Sequence, residues 1–494
     1  MRNHRPIGLL SLLLALIWTG CDSSQSAVET RWRFVGGTTL ALQTNAPALR
    51  DILALPESAA LRGPLLTQAT RLFWQAAAGT TNAPAEALAA GQPLVADLLD
   101  QLSLGETLMA GPNRREFALA VSGDAAHAQV WQTAWPKFFA AVQSARGGTP
   151  GKPQVSVISG WIVAVSDATV ITPAEALKTL ALIPAEAQVV LHAEEKIAGW
   201  PTAVFSAAVR DGAVRSQLKL TFAESLPRNL PAWQVPPFVK DPLVQFGAAR
   251  GITPWLTKLA GLGPVLKDHP PSQWFLWGYG DLSLRSYLAA VVADPEKLVA
   301  RVNSEISGPF KSGTLMGQCE YNPNQSVLVI GGLPMAIPLL AAVHTNGNSY
   351  TTFGALPSRH LTNPPPPELL GLLQRNNLLV YDWEISPAVV SHYNTFFQLN
   401  QIVHKRPLNN QAPGQKWLSA ATEKLGNSAT EALVTGDHEL TVTRKSSTGL
   451  SALELTSLAW ALDAGAPGRA VRTLPAVKAA PINTRPRTNS VAHP

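Results

Sequence analysis

Residues 202–222 read TAVFSAAVR-DG-AVRSQLKLTF, two runs rich in β-branched and apolar residues joined by Asp211-Gly212. Asp-Gly supplies the two positive-φ positions of a tight type I′ turn, so this stretch predicts an antiparallel hairpin. Residues 187–193 add a strand before it. Upstream, residues 155–165 fold back on themselves around Ser159-Gly160. Downstream, residues 314–321 and 326–330 flank Asn322-Pro323-Asn324, a second hairpin. A third is expected from residues 439–444 and 450–458 around Ser446-Ser447-Thr448-Gly449. Shorter strands are read at 31–35, 116–122, 273–279, 350–355 and 377–385.

Helical periodicity comes in blocks between these strands. It runs over residues 47–78, cut by Pro56 and Pro64, and again over 83–102. Asp124 stands where a cap would open a helix through Trp131 and Trp135, and Thr172-Pro173-Ala174-Glu175 has the form of a capping box. Residues 255–266 read as a short helix and 284–306 as a long amphipathic one interrupted at Asp294-Pro295. Further helices are expected at 387–403 and 417–425. Hairpins with helices in blocks predict an α+β fold, with antiparallel sheets built from hairpins and helices packed on one face. Strands and helices do not alternate regularly, which excludes a TIM barrel or a doubly wound sheet.

The chain also echoes itself. Arg33-Phe34-Val35-Gly36 leads through Thr38 and Asn45 into a helix at Pro47. Val244-Gln245-Phe246-Gly247 leads through Thr253-Pro254 into one at Trp255, and Val380 to Glu384 leads through Ser386-Pro387 into a third. This reads as a repeated strand-cap-helix unit. The expected organisation is a signal peptide at 1–20, a tether at 21–30, α+β domains at 31–182 and 183–362, a C-terminal α+β segment at 363–464 packed on the second domain, and a disordered tail at 465–494.

At 494 residues the chain is long enough for two or three domains. Mean hydropathy is +0.08, which excludes both a disordered chain and a polytopic membrane protein. Arg2 and Arg5 precede an apolar run from Ile7 to Trp18, too short for a stable membrane span and fitting a secretory signal. The order Ile17-Trp18-Thr19-Gly20-Cys21 then resembles the lipobox of bacterial lipoprotein precursors, with Trp18 where an aliphatic residue is usual. That resemblance covers the first 21 residues and implies cleavage before Cys21, acylation of its thiol and a lipid anchor in the cell envelope. Asp22 resembles the inner-membrane retention signal of enteric bacteria. The ectodomain resembles secreted bacterial lipoproteins in general organisation.

The formal charge is +6. Removing Arg2 and Arg5 leaves +4, and the tail alone carries Arg469, Arg472, Lys478, Arg485 and Arg487, so the body is near −1. The basic pI therefore belongs to the ends, which argues against a folded nucleic-acid-binding domain. Cys21 and Cys319 are the two cysteines, which excludes a disulfide scaffold; Cys319 is expected as a buried structural thiol in a strand.

Few motifs carry chemistry. Gly151-Lys152-Pro153 lacks the hydroxyl and the first glycine of a P-loop, and no G-x-S-x-G or H-E-x-x-H occurs. His192 and Glu194 share a strand face but supply only two ligands, so no metal and no cofactor are expected. Asp382 and Glu384 share the face of a strand and are the candidate acid–base pair, with His392 and His404 following. Most of the 14 tryptophans are expected in the core. The functional expectation is a lipid-anchored envelope protein with a non-enzymatic binding or scaffolding role, lipid or lipoprotein handling being one version. Its partners are the membrane, through the anchor, and a protein, lipid or glycan. The alternative is an envelope hydrolase of glycans or esters with a dispersed active site.

Overall fold

The computed structural model describes residues 28–463 apart from 37–45, 105–106, 114–115, 124, 148–150, 182–188, 198–200, 228–229, 258–262, 335, 357–360 and 409–410. The signal segment, Cys21, Asp22, the cap expected at Asp124 and the basic tail lie outside the described residues. The chain is α+β, as the hairpins and helical blocks predict.

Its first half runs β1 (Val28–Phe34), α1 (Pro47–Leu53), α2 (Pro56–Ala60), α3 (Arg62–Ala78), α4 (Ala85–Leu104), β2 (Thr107–Asn113), β3 (Glu116–Ser122), α5 (Ala125–Arg146), β4 (Gln154–Ile158), β5 (Trp161–Val165), α6 (Pro173–Leu180), β6 (Val189–Ile197), β7 (Thr202–Arg210) and β8 (Ala213–Thr221). The second half runs β9 (Gln245–Arg250), α7 (Thr253–Leu256), α8 (Gly263–Leu266), β10 (Gln273–Gly278), β11 (Ser286–Val291), α9 (Pro295–Lys311), β12 (Gln318–Asn322), β13 (Val327–Gly331), β14 (Leu339–Thr345), β15 (Asn348–Gly354), α10 (Pro367–Leu373), β16 (Leu378–Ile385), α11 (Ser386–Val403), α12 (Pro413–Thr422), β17 (Asn427–Gly436), β18 (Glu439–Ser446) and α13 (Ala452–Asp463).

Every ladder is antiparallel, and together they make one sheet in the order β4-β5-β3-β2-β1-β6-β7-β8-β18-β17-β16-β9-β10-β11-β15-β14-β13-β12. The β1·β6 ladder crosses the boundary expected at 182, and β9·β16 crosses the one expected at 362.

This order reads the same from both ends toward the β8·β18 junction. The series β5-β3-β2-β1-β6-β7-β8 is matched by β15-β11-β10-β9-β16-β17-β18. Register supports the match. The β6·β7 ladder slips between Val189 and Leu191, and β16·β17 slips at the equivalent place, between Leu378 and Val380. At the junction Gln217 pairs with its counterpart Thr443, so a local two-fold axis passes between them. β1 and β9, two strands of the sequence echo, occupy equivalent places. The third, β16, is the counterpart of β6. The halves differ in their insertions: α1 to α4 follow β1, whereas α11 and α12 follow β16 and the β12–β13 hairpin precedes β14.

Both faces of the sheet are covered over its outer parts, while on β8 Gln217, Lys219 and Thr221 stand exposed on one face. Leu119, Val121, Ile162 and Ala164 look toward the long helices, where Trp74, Trp131, Trp135 and Phe138 are fully buried. Helices α12 and α13 of the second half join this same core through Trp417, Leu418, Leu455 and Ala459. On the far face Ala118, Ala120, Val163 and Val165 meet α6, and Phe246, Phe275 and Tyr381 meet α10. Thus, among the described residues, the long helices share one face, and the short α6 and α10 with the proline-rich segment near Trp233 lie on the other. Burial on both sides explains why β5, WIVAV, is apolar throughout rather than alternating.

Local chemistry accounts for most boundaries. Thr172 and Glu175 form a complete capping box at α6. Asp211-Gly212, Ser159-Gly160 and Asn346-Gly347 all have positive φ at both positions, the geometry of type I′ turns.

Several expected elements are different. Residues 450–458 are not a strand: Ser451 and Glu454 cap α13, and β18 pairs instead with β17. The long helix expected from Leu284 is strand β11 followed by α9, because Pro295 begins a helix rather than interrupting one. Residues 255–266 contain two single turns, α7 and α8. Strand β1 begins at Val28, inside the stretch read as a tether.

Candidate functional site

Strand β16 carries LVYDWE with its side chains alternating across the sheet, so Tyr381 and Trp383 pack into the far core while Asp382 and Glu384 face the long helices. Ladder register fixes their neighbours. Asp382 lies between Gly247 of β9 and Thr430 of β17, and Glu384 lies between Gln245 and Ser428. One strand further, Arg444 is opposite Thr430. A polar band therefore crosses the centre of the second half beneath α11 and α13.

Glu384 is 1 % exposed. Its Oε1 accepts from the Ala452 N–H at the start of α13 (2.7 Å) and from the Ser386 hydroxyl (2.9 Å). It thus fills one of the donor positions that a helix start leaves open and sits at the positive end of its dipole. Burial raises the pKa of this carboxyl to about 7, against those two hydrogen bonds, with Asp382 pushing it further up. Asp382 is raised to about 6 by the same desolvation, moderated by Arg444. Gly247 makes room for it: a Cβ there would stand 3.2 Å from Asp382 Oδ1.

The flanking groups are tied into the band. Arg444 Nε donates to Thr430 Oγ1 (2.9 Å), and its Nη1 is paired with Glu454, the same residue that caps α13. On the other side, Gln245 Nε2 donates to the Tyr393 hydroxyl (2.9 Å), and burial pushes that phenol up to about 12. His392, also buried, has its Nδ1 2.9 Å from Ser286 Oγ, and desolvation lowers its basicity, keeping the imidazole neutral at pH 7.

The two carboxylates expected as a pair are thus brought together, and His392 joins their neighbourhood. His404 does not: its Nδ1 is 2.8 Å from Asn400 O, at the far end of α11. Gln245, Tyr393, Ser286, Arg444 and Glu454 were not singled out from the sequence. Only β16 announced itself, through alternation; the others come from strands and helices that no local pattern connects to it.

The remaining candidates are local. His192 Nε2 and Glu194 Oε1 are 3.1 Å apart on β6. Among the described residues no group of three or more His, Cys, Asp or Glu is gathered as a metal site. Cys319 is half-buried on β12, and burial raises its thiol above the usual range, so it is held protonated. Lys152 donates its backbone N–H to Asp167 Oδ1 (3.1 Å), so the Gly-Lys loop is closed on a carboxylate. Of the twelve described tryptophans six are buried and six half-buried, so the core expectation holds in part. A buried cation escaped sequence reading altogether. Arg250, 2 % exposed, donates to the carbonyls of Pro231, Arg375, Asn376 and Leu378 and lies 4.5 Å over the Trp233 ring.

A separate cleft of about 350 Å³ opens at the other ends of β10 and β11, between Gln234, Ser272, Val291 and Ser349. It lies roughly 17 Å along the strands from the carboxylate band. All its lining residues are uncharged.

What the band can do follows from its geometry. A carboxyl with a pKa near 7 holds or releases a proton close to neutrality. General acid–base work also needs substrate within hydrogen-bond reach. Glu384 is sealed under α13, and one of its oxygens is already committed to the helix start. Comparison with protein-family models, curated proteins and solved structures finds no match for this chain.

Proposed function

We propose that this chain is a lipid-anchored protein of the cell envelope, held through Cys21, whose ectodomain has a non-enzymatic binding or scaffolding role at the membrane surface. The observation that carries the non-enzymatic part is the position of Glu384: a 1 % exposed carboxylate whose Oε1 caps α13 is a structural group. The wide sheet and an uncharged cleft fit a protein that presents surface rather than performs proton transfer. The lipobox-like segment supports the anchor, and Asp22 supports retention at the inner membrane. Lipid or lipoprotein handling is one form of this role.

Membrane fractionation tests the anchor. The wild-type chain should sediment with membranes and incorporate radiolabelled palmitate; Cys21→Ser should lose the label and at least nine-tenths of the membrane-bound pool, on the order expected when two or more acyl chains are removed. A Cys21→Ser chain that stays membrane-bound overturns it. Native mass spectrometry of the same variant, with organic extraction, reports a co-purifying lipid or glycan.

The raised pKa values of Asp382 and Glu384 and the Ser286–His392 contact favour, as the second reading, an envelope hydrolase of esters or glycans. Asp382→Asn and Glu384→Gln separate the two. A scaffold predicts altered stability with unchanged cross-linking to envelope partners. A hydrolase predicts lost turnover on ester or glycan substrates.

A further inference from the structure

Strand β4 ends the sheet. The Ser159-Gly160 turn is a two-residue hairpin loop, so Ile158 and Trp161 form a hydrogen-bonded pair, as do Ser156 with Val163 and Gln154 with Val165. The backbone groups of Val155 and Val157 therefore point away from β5, and no described strand pairs with them. Native sheets blunt such edges with short strands, charges, proline or bulges. Here QVSVI is short and follows Pro153, but it carries no charge, proline or bulge of its own, and Val157 is 45 % exposed.

The second half shows what belongs there. Its counterpart of β4 is β14, whose outer edge is occupied by β13, through Val327↔Ala341, Leu328↔Leu340 and Val329↔Leu339. Among the described residues the first half has no equivalent of the β12–β13 hairpin. The chain also shows how the sheet grows. At the β8·β18 junction two equivalent strands pair antiparallel about a local two-fold axis.

We propose that β4 is a homodimerisation edge, and that its occupant is the β4 strand of a second copy, paired antiparallel about a two-fold axis at Ser156. This register sets Val155 opposite Val157 of the other copy, so the outward N–H and C=O groups of both are satisfied reciprocally. Ser156 then meets Ser156 of the other copy, and Gln154 meets Ile158, with no like charges opposed. A two-fold contact of this kind is self-complementary and closes, giving a dimer rather than a fibre. Five-residue strands bury little area, so the dimer is weak in dilute solution and forms where copies are concentrated.

The test uses the full chain in isolated membranes. Ser156→Cys is introduced with Cys319→Ser, and mild oxidation is followed on non-reducing gels. At the axis the two Cα atoms lie about 4.5 Å apart, within disulfide reach. Leu282→Cys, on a residue 52 % exposed between β10 and β11 in the second half, reports random collision. The Ser156→Cys chain should cross-link at least tenfold faster than the Leu282→Cys chain. Adding Val155→Pro should abolish the difference, because it removes an outward N–H that β5 does not use. Val157→Lys serves as the second blocking variant if the proline unfolds the strand. Equal rates for the two cysteines overturn the proposal, as does a fast rate indifferent to both blocking variants. Equal rates with Val155 and Val157 amides protected from hydrogen exchange overturn it too, and assign the edge to another segment of this chain or to a different protein.

Discussion

Glu384 shows how a single carboxyl couples folding to pH. Its pKa rises from an ordinary carboxylate value to about 7 on folding, chiefly through burial. Between about pH 4.5 and 7 the folded chain therefore binds more protons than the unfolded one, so its stability falls as pH rises through that window. Below the window the contribution is fully present; above it, it is lost. The effect is of the order of a few kcal/mol. Glu384→Gln keeps an oxygen for Ala452 and Ser386 but cannot ionise. Urea denaturation should show a flattened pH dependence between pH 5 and 8 for the variant, on the order of one proton less in slope. A slope identical to that of the wild type would show that the carboxyl is not held in this environment.

Elements meet in this fold at places where backbone approaches backbone. Helices α12 and α13 cross at Gly414, where an added Cβ would stand 2.3 Å from the Ala459 carbonyl oxygen and 2.8 Å from Asp463 Oδ1. Gly414 also donates its N–H to that carboxylate (2.7 Å), as Gln415 does to the other oxygen (3.0 Å). Neither obstacle is the far end of a flexible side chain, since Asp463 is held by both bonds. Gly414→Ala should cost about 1–3 kcal/mol, read as a lower urea midpoint with an unchanged slope. An alanine variant as stable as the wild type would mean the crossing is looser than its geometry.

At the scale of the whole molecule, the two halves are joined twice, by the β8·β18 ladder and by the helices above it. Trp417 of α12 sits in the core built largely by the first half, with its Nε1 donating to Ser58 Oγ (3.0 Å), which itself donates to Ile52 O (2.6 Å). Trp417→Ala removes this anchor and should cost about 3–5 kcal/mol. Because it strikes the contact between halves, thermal unfolding should resolve into two transitions where the wild type has one. A single transition simply shifted downward would show that the sheet junction alone keeps the halves cooperative.

Sequence by itself determined the features that depend on neighbours a few residues away. The Asp211-Gly212 turn, the Thr172–Glu175 capping box and the shared face of Asp382 and Glu384 are consequences of local backbone geometry, and each is legible in a short window. So is the α+β class, which needs only the count and spacing of such windows. Reading failed where two local patterns fit the same residues. Apolar residues from Leu284 suit a helix or a strand, and the pairing of β11 with β10 and β15 decides for a strand. Residues 450–458 suit a strand until Ser451 and Glu454 close the helix start. The rest is tertiary. Which strands become neighbours, where the local two-fold axis lies, and which residues surround Glu384 depend on ladders and cores joining positions far apart in the chain, such as Gln217 with Thr443 and Ser58 with Trp417. Burial also changes the setting of a side chain: Glu384, one of the candidate acid–base pair, accepts a hydrogen bond from the start of α13, and only the fold supplies the desolvation that raises its pKa.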